Sequence, residues 1–322
     1  MQHSAEIVDQ IVDGDRSHFR MVTTHVGLLI QREHMGDAII GEPAALAVWR
    51  DLIAHAGALT AVFESDRPAG DSRIVGFGAT VFVQQAFADA ELLRPQPGLN
   101  ARIIAKLHHG PSVVLDHDAI ALANAGDGLD VVMMYGSWLP NGLSEHELQH
   151  VQMLLSMSLT QLMAGYKSRT LFGEARGAQI PYMRQSGIVR EIVAYPGHDL
   201  ALNLMMASEA FARPTSMAGA MFMFNEPVLG LTGAEQALMN AALTGATDAD
   251  LARSLGVSEP AIKARWRSIF ARFAERAPDY ESAERDSRGL QKRHHVLHYL
   301  RDHPEELRPF KRDRNFNRGG SG

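Results

Sequence analysis

The sequence predicts an α+β protein: an N-terminal, sensor-like α/β domain on a central sheet, followed by an all-α C-terminal helix-turn-helix domain. Three observations predict it. Strand-like runs such as Ile74–Val83 (IVGFGATVFV) alternate with helix-like runs through the N-terminal half. Leu231 to Phe273 holds two short amphipathic segments separated by Gly256-Val257-Ser258. Charge divides along the same line: residues 231–322 carry 16 Lys+Arg against 13 Asp+Glu, whereas residues 1–230 carry 15 against 24. An acidic body with a mildly basic end fits a protein that touches nucleic acid at one end only.

In the body, β-branched and apolar runs at 17–33 and 59–64 read as strands. Asp66 to Asp71, with Pro68 and Gly70, makes a turn before the strand at 74–83. Further strands are expected at 112–115 and 129–136, and helices at 43–55, 86–94, 99–107 and 116–125. Leu143–Met163 reads as one long helix, with Ser144 as its cap and Glu147 completing a capping box. Strands at 188–194 and 217–224 follow, and 225–230 reads as a linker. The expected units are a sensor and dimerisation domain (1–170), a connecting region (171–230), the helix-turn-helix (231–276) and a basic extension (277–322).

Within the helix-turn-helix, Thr247 is a good N-cap and Asp250 stands three residues on. Gly256 ends that helix, because glycine takes a left-handed turn at no steric cost. Ser258 caps the next helix, and Pro260 falls in its first turn, where a missing N–H is harmless. Ile262, Trp266, Ile269 and Phe273 recur at helical spacing as one apolar stripe. Ala264, Arg267, Ser268 and Ala271 point away from it, flanked by Lys263 on one side and Arg265 and Arg272 on the other. Small residues let a helix sit deep in a groove. Arg267 is the candidate base-edge contact; Lys263, Arg265 and Arg272 are candidate phosphate contacts.

The segment resembles the LuxR/GerE-type DNA-binding domain. The matching residues are Leu231-Thr232, Glu235, Leu238, Gly245, Leu251-Ala252, Leu255, Val257-Ser258, Ile262-Lys263 and Ile269. The resemblance implies double-stranded DNA as partner, a scaffold role for Glu235 and a place on the DNA face for Lys263. The chain departs from the family at Ala261, where a Thr or Ser is frequent, which removes one hydroxyl contact to phosphate.

The body resembles the skeleton of GNAT acyltransferases, with a strand like Ile74–Val83 followed by helices and another strand. Their acyl-CoA site needs a Gln/Arg-x-x-Gly-x-Gly/Ala loop whose backbone N–H groups hold pyrophosphate at a helix start. Arg94–Gly98 (RPQPG) begins that pattern but places Pro95 and Pro97 where N–H groups are required. A receiver domain's acidic pair is absent, and Ile53 stands where an acyl-homoserine-lactone pocket would need Tyr after Trp49.

Composition bounds the rest. The 322 residues are 46% hydrophobic and 21% charged, with a net charge of −6 and no cysteine, which excludes disulfides and cysteine-based metal sites. No signal peptide or membrane-spanning run is read, so a cytoplasmic location without membrane contact is expected. His146-Glu147-Leu148-Gln149-His150 matches H-E-x-x-H, but Met153 and Ser156 stand at its extended positions and Glu147 already has a capping role. Glu174 is a distant candidate third ligand with nothing to support it. His108-His109 with His117, and Tyr135 with Trp138, are candidate pocket walls; the methionines along 143–163 read as core or dimer filler. Gln291–Leu300 reads as a helix, with Lys292 and Arg293 able to reach phosphate.

These readings converge on a DNA-binding transcriptional regulator whose N-terminal domain dimerises, senses a small-molecule effector, or both, with 143–163 as the candidate dimer surface; it needs no cofactor or metal and is not an enzyme. The alternative is an acyl-CoA-dependent, GNAT-like transferase with an appended DNA-binding module.

Overall fold

A computed structural model describes residues 19–22, 51–52, 55–65, 74–109, 112–138, 144–177, 179–187, 189–212, 217–277 and 289–311. The architecture is α+β, built on a mixed sheet of strands β1 (Phe19–Val22), β2 (Ala58–Ser65), β3 (Ile74–Val83), β4 (Leu129–Trp138), β5 (Ser168–Arg176), β6 (Arg190–Tyr195) and β7 (Leu200–Met206). Their order is β1-β2-β3-β4-β5-β7-β6. Every neighbouring pair is antiparallel except β4 and β5, which run parallel. A parallel pair needs a crossover. Here it is helix α4 (Glu145–Met163), which starts where the sequence placed its cap: Ser144 and Glu147 form both halves of a capping box.

Between β3 and β4 lie α1 (Gln85–Leu93), α2 (Leu99–His109) and α3 (His117–Ala125). On one sheet face, Ala88, Leu99, Ile103 and Ile104 from α1 and α2 pack on Val81, Val83, Val132, Phe172 and Leu202. On the other, Ile120 from α3 and Met163 from α4 pack on Phe82, Val131, Leu171 and Met205. Helix α6 (Ala207–Phe211) and a 3₁₀ turn (Met217–Phe222) close that second face through Ala210, Met221 and Phe222. Helix α5 (Gln179–Ser186) connects β5 to β6.

Several expectations need correcting. Residues 217–224 are no strand; six of them form the 3₁₀ turn. Residues 112–115 contribute only an isolated bridge, Val83 to Val114. The sheet does not stop at residue 170, because β5 crosses that position and pairs with both β4 and β7. Of the expected strand 17–33 the described part is Phe19–Val22, and residues 43–50 of the expected first helix lie outside the described residues.

Beyond the sheet, α7 (Gly233–Ala242), α8 (Asp248–Leu255) and α9 (Glu259–Arg276) form a helical unit with its own core of Leu238, Leu251, Ile262, Trp266, Ile269 and Phe273. Gly256 takes a left-handed φ of 65° between α8 and α9, and Ser258 caps α9 through the Ala261 amide. Helix α10 (Gly289–Asp302) adds Val296, Tyr299 and Leu300 to that core. A 3₁₀ turn at Pro304–Leu307 follows.

Candidate functional site

The parallel pair at the middle of the sheet opens. Its register runs from Leu129 opposite Ser168 to Val132 opposite Phe172 and ends there, while β4 continues to Trp138 and β5 to Arg176. Two features of the chain mark where the fork begins. On the β3 side, Thr80 pairs with Met133 and Ala79 with Tyr135, so Met134 is an inserted bulge residue, and a bulge bends its strand. On the β5 side, Gly173 sits at the point of divergence. A Cβ there would lie 2.5 Å from the Met133 carbonyl oxygen, so only glycine permits the approach.

Past the fork, the carbonyls of β4 find side-chain partners. The Asn100 amide on α2 donates to the Met134 carbonyl, and Gln179 Nε2 on α5 donates to the Gly136 carbonyl at 2.6 Å. Two buried polar atoms, Asn100 Oδ1 on α2 and Tyr195 Oη on β6, have no hydrogen-bond partner among the described residues. A buried hydroxyl or amide oxygen without a partner costs about 1–3 kcal/mol, and unfilled sites of this kind are places where a ligand can bind.

Glu174 lies on the same edge. Its carboxylate accepts from the backbone N–H groups of Gly98 at 2.7 Å and Leu99 at 3.0 Å, at the start of α2. Burial raises its pKa, against the opposing pull of those two N–H groups and of Arg102 and Arg176. Arg102 is itself clasped by Glu91, at 2.6 and 3.0 Å, and by the carbonyls of Pro97 and Gln96. Tyr195 is pushed above its ordinary pKa by burial and by the nearby Glu174 charge. The site therefore holds a carboxyl group and a phenol whose pKa values both lie above their ordinary values.

Both helix starts near the fork are already occupied by internal carboxylates. Glu174 fills the α2 start, the loop whose sequence begins a pyrophosphate pattern. Glu147 fills the α4 start, accepting from the Ser144 amide at 2.7 Å and hydroxyl at 2.8 Å. This also settles the part Glu147 plays in H-E-x-x-H. The rings of His146 and His150 stand edge to face at 4.2 Å, and among the described residues no three His, Asp or Glu side chains are placed to hold a metal. Glu174 accepts from two amides at the start of α2. His117 pairs loosely with Asp118, and the side chains of Tyr135 and Trp138 lie outside the described residues.

On α9, Ser258, Lys263, Ala264, Arg267 and Ser268 are exposed and Arg265 is half-buried. Arg272 is not a free cation. Its guanidinium donates to Glu235 at 2.5 Å and to the Gly230 carbonyl at 2.6 Å, and Ser268 Oγ donates to the same carboxylate at 2.9 Å. The phosphate role expected of Arg272 is corrected accordingly: it closes α9 onto the start of α7. Burial works to raise the Glu235 pKa, but bonds from Thr232, Arg272 and Ser268 outweigh it and hold it below the ordinary value. Arg293, also expected at phosphate, stacks over Trp266 at 4.2 Å and pairs with Asp248.

No family model and no curated protein matches the chain. Solved structures that are similar to it include the following two. An uncharacterised protein from Bacillus halodurans is 9% identical, with a TM-score of 0.36 over 68% of this chain and 100% of its own. FeeM, an N-acyl amino acid synthase from uncultured soil microbes, is 11% identical, with a TM-score of 0.34 over 65% of this chain and 98% of its own. The sequence reading took the chain not to be an enzyme, whereas the second of these structures is that of a synthase. Among the described residues no helix is long and apolar enough to cross a membrane.

Proposed function

We propose that the chain is an acyl-thioester-dependent transferase whose sheet carries a helical DNA-binding module. The observation that supports it is the fork between β4 and β5. An opened parallel pair leaves strand edges that can accept one more extended chain through main-chain hydrogen bonds. The pantetheine arm of an acyl-CoA is such a chain, linear and carrying two amides. Gly136, whose carbonyl already faces Gln179, has its N–H on the same side of the strand. Because Glu174 and Glu147 fill the two helix starts, the arm rather than the pyrophosphate is what the fork holds.

In the transfer, the acceptor's lone pair attacks the thioester carbonyl and the carbon–sulfur bond breaks. The departing sulfur takes a proton from Tyr195 Oη, and the acceptor gives one up to Glu174. Water then returns both residues to their starting forms. A carboxyl group with a raised pKa and a phenol that keeps its proton suit those roles. The DNA-binding half rests on the turn at Gly256 and on Lys263, Ala264 and Arg267 exposed along α9. It carries forward the LuxR/GerE resemblance.

The test is incubation of the full-length protein with acetyl- and longer acyl-CoA and a panel of amine, hydroxyl and thiol acceptors. Free thiol is read with a chromogenic reagent for the amine and hydroxyl acceptors, and acylated product by mass for all three. The chain has no cysteine, so any new thiol signal there is product. Acceptor-dependent transfer supports the reading. No transfer from any donor, together with no binding of any donor, refutes it.

A further inference from the structure

We infer that residues 304–311 form a strap that makes the helical unit and the sheet one cooperative body. Each end of this short segment is tied to a different partner. Toward the helical unit, Glu306 is 1% exposed and accepts from the backbone N–H groups of Val228 at 2.8 Å and Leu229 at 3.0 Å. Tyr299 donates to the same carboxylate at 3.2 Å. Gln236 Nε2 reaches two carbonyls of the strap, Glu306 at 3.1 Å and Arg308 at 2.7 Å. Leu307 joins the core of the helical unit.

Toward the sheet, Arg308 Nε donates to the Ala164 carbonyl at 2.8 Å, and its guanidinium lies 4.8 Å over the Tyr166 ring. Asn124 donates to the Pro309 carbonyl at 2.8 Å, and the Lys311 amide donates to the Ala121 carbonyl at 3.0 Å. The approach is close enough to require glycine at 165: a Cβ there would lie 2.5 Å from the Glu305 nitrogen, and the backbone φ is 81°. The anchor on the sheet side is thus the α4–β5 turn, the root of the strand whose far end forms the fork. Asn124 also accepts from the Lys167 amide at 2.9 Å, which locks that root to the strap.

The physical consequence is that the donors at Val228, Leu229 and Gln236 keep their partners only while the strap is held against the sheet. Units joined merely by a linker open independently; units sharing a satisfied, buried hydrogen-bond network open together. This inference does not depend on the transferase reading.

The experiment is native-state hydrogen exchange of the full chain, wild type against Arg308→Ala, followed at Leu251 and Ile262 in the helical unit and at Val131 and Val132 in the sheet. Among the described residues the Arg308 side chain makes no hydrogen bond to the helical unit. Coupling therefore predicts exchange at Leu251 and Ile262 roughly tenfold faster or more in the variant, since one to two hydrogen-bond equivalents are lost. Unchanged rates at those two amides, whether or not the sheet amides respond, would overturn the strap. Should Arg308→Ala not fold, Arg308→Lys removes the Nε bond and the planar stack while keeping the charge, and is read the same way.

Discussion

Arg272 separates a structural clasp from a nucleic-acid contact, and the structure sets the size of the difference. Substituting Arg272→Ala removes three bonds from the guanidinium, to Glu235, to the Gly230 carbonyl and to Ser268 Oγ. Each bond to a charged group contributes about 1.5–3 kcal/mol. The Glu235 side chain is only 6% exposed, so its carboxylate is left buried with Thr232 and Ser268 alone. Arg272 is 20% exposed, which lets water soften the loss. The expected destabilisation of the helical unit is about 2–4 kcal/mol at neutral pH. Because Glu235 is held below its ordinary value of 4.5, the contribution is fully present above that pH and disappears as pH falls through the lower folded value. The gap between wild type and variant should therefore close in acid. Urea unfolding followed by hydrogen exchange at Leu251 and Ile262, at neutral pH and again in acid, measures both. A variant as stable as wild type at neutral pH would refute the clasp and restore Arg272 to the exposed cations.

Three other outcomes follow from the same geometry. Gly173→Ala places a methyl against the Met133 carbonyl and should cost about 1–3 kcal/mol in denaturant unfolding, with weakened acyl-CoA binding; a neutral substitution would mean the fork is looser than described. Tyr195→Phe removes a buried hydroxyl with no hydrogen-bond partner among the described residues, so stability should hold or rise by up to about 1 kcal/mol. Turnover should fall roughly 10²-fold or more if that hydroxyl protonates the leaving sulfur. Arg267→Ala should relax sequence preference in DNA binding, whereas Lys263→Ala should weaken all sequences alike and flatten the salt slope by about 1.

What the sequence reveals and what it hides divide along the line between local and distant causes. The start of α4 is legible because Ser144 and Glu147 lie three residues apart and satisfy each other. The α8–Gly256–α9 turn is legible for the same reason, each cap being local. Strand β7, LALNLMM, escapes notice because it lies inside the sheet with both faces buried, so no alternation marks it, and leucine and methionine favour helix as readily as strand. The apolar run 217–224 looks like a strand, yet its first six residues form a 3₁₀ turn that caps the second core. The fork is invisible in the chain because it depends on where pairing stops between residues about 40 apart in sequence. Glu174 could be noticed only as an acid within a strand. Its real partners, the amides of Gly98 and Leu99, lie far upstream. The exposed basic face of α9 is readable, but the internal use of Arg272 is not, since Glu235 and Gly230 come to it through packing.

The measurement that bears most directly on the account is hydrogen exchange along β4 and β5 with and without saturating acyl-CoA. The account predicts slowed exchange confined to the open stretch, Met133–Trp138 of β4 and Gly173–Arg176 of β5, with the paired stretch Leu129–Val132 unchanged. Bound acyl-CoA that leaves those amides unprotected, or protects a different surface, would contradict the claim that the fork is the thioester site.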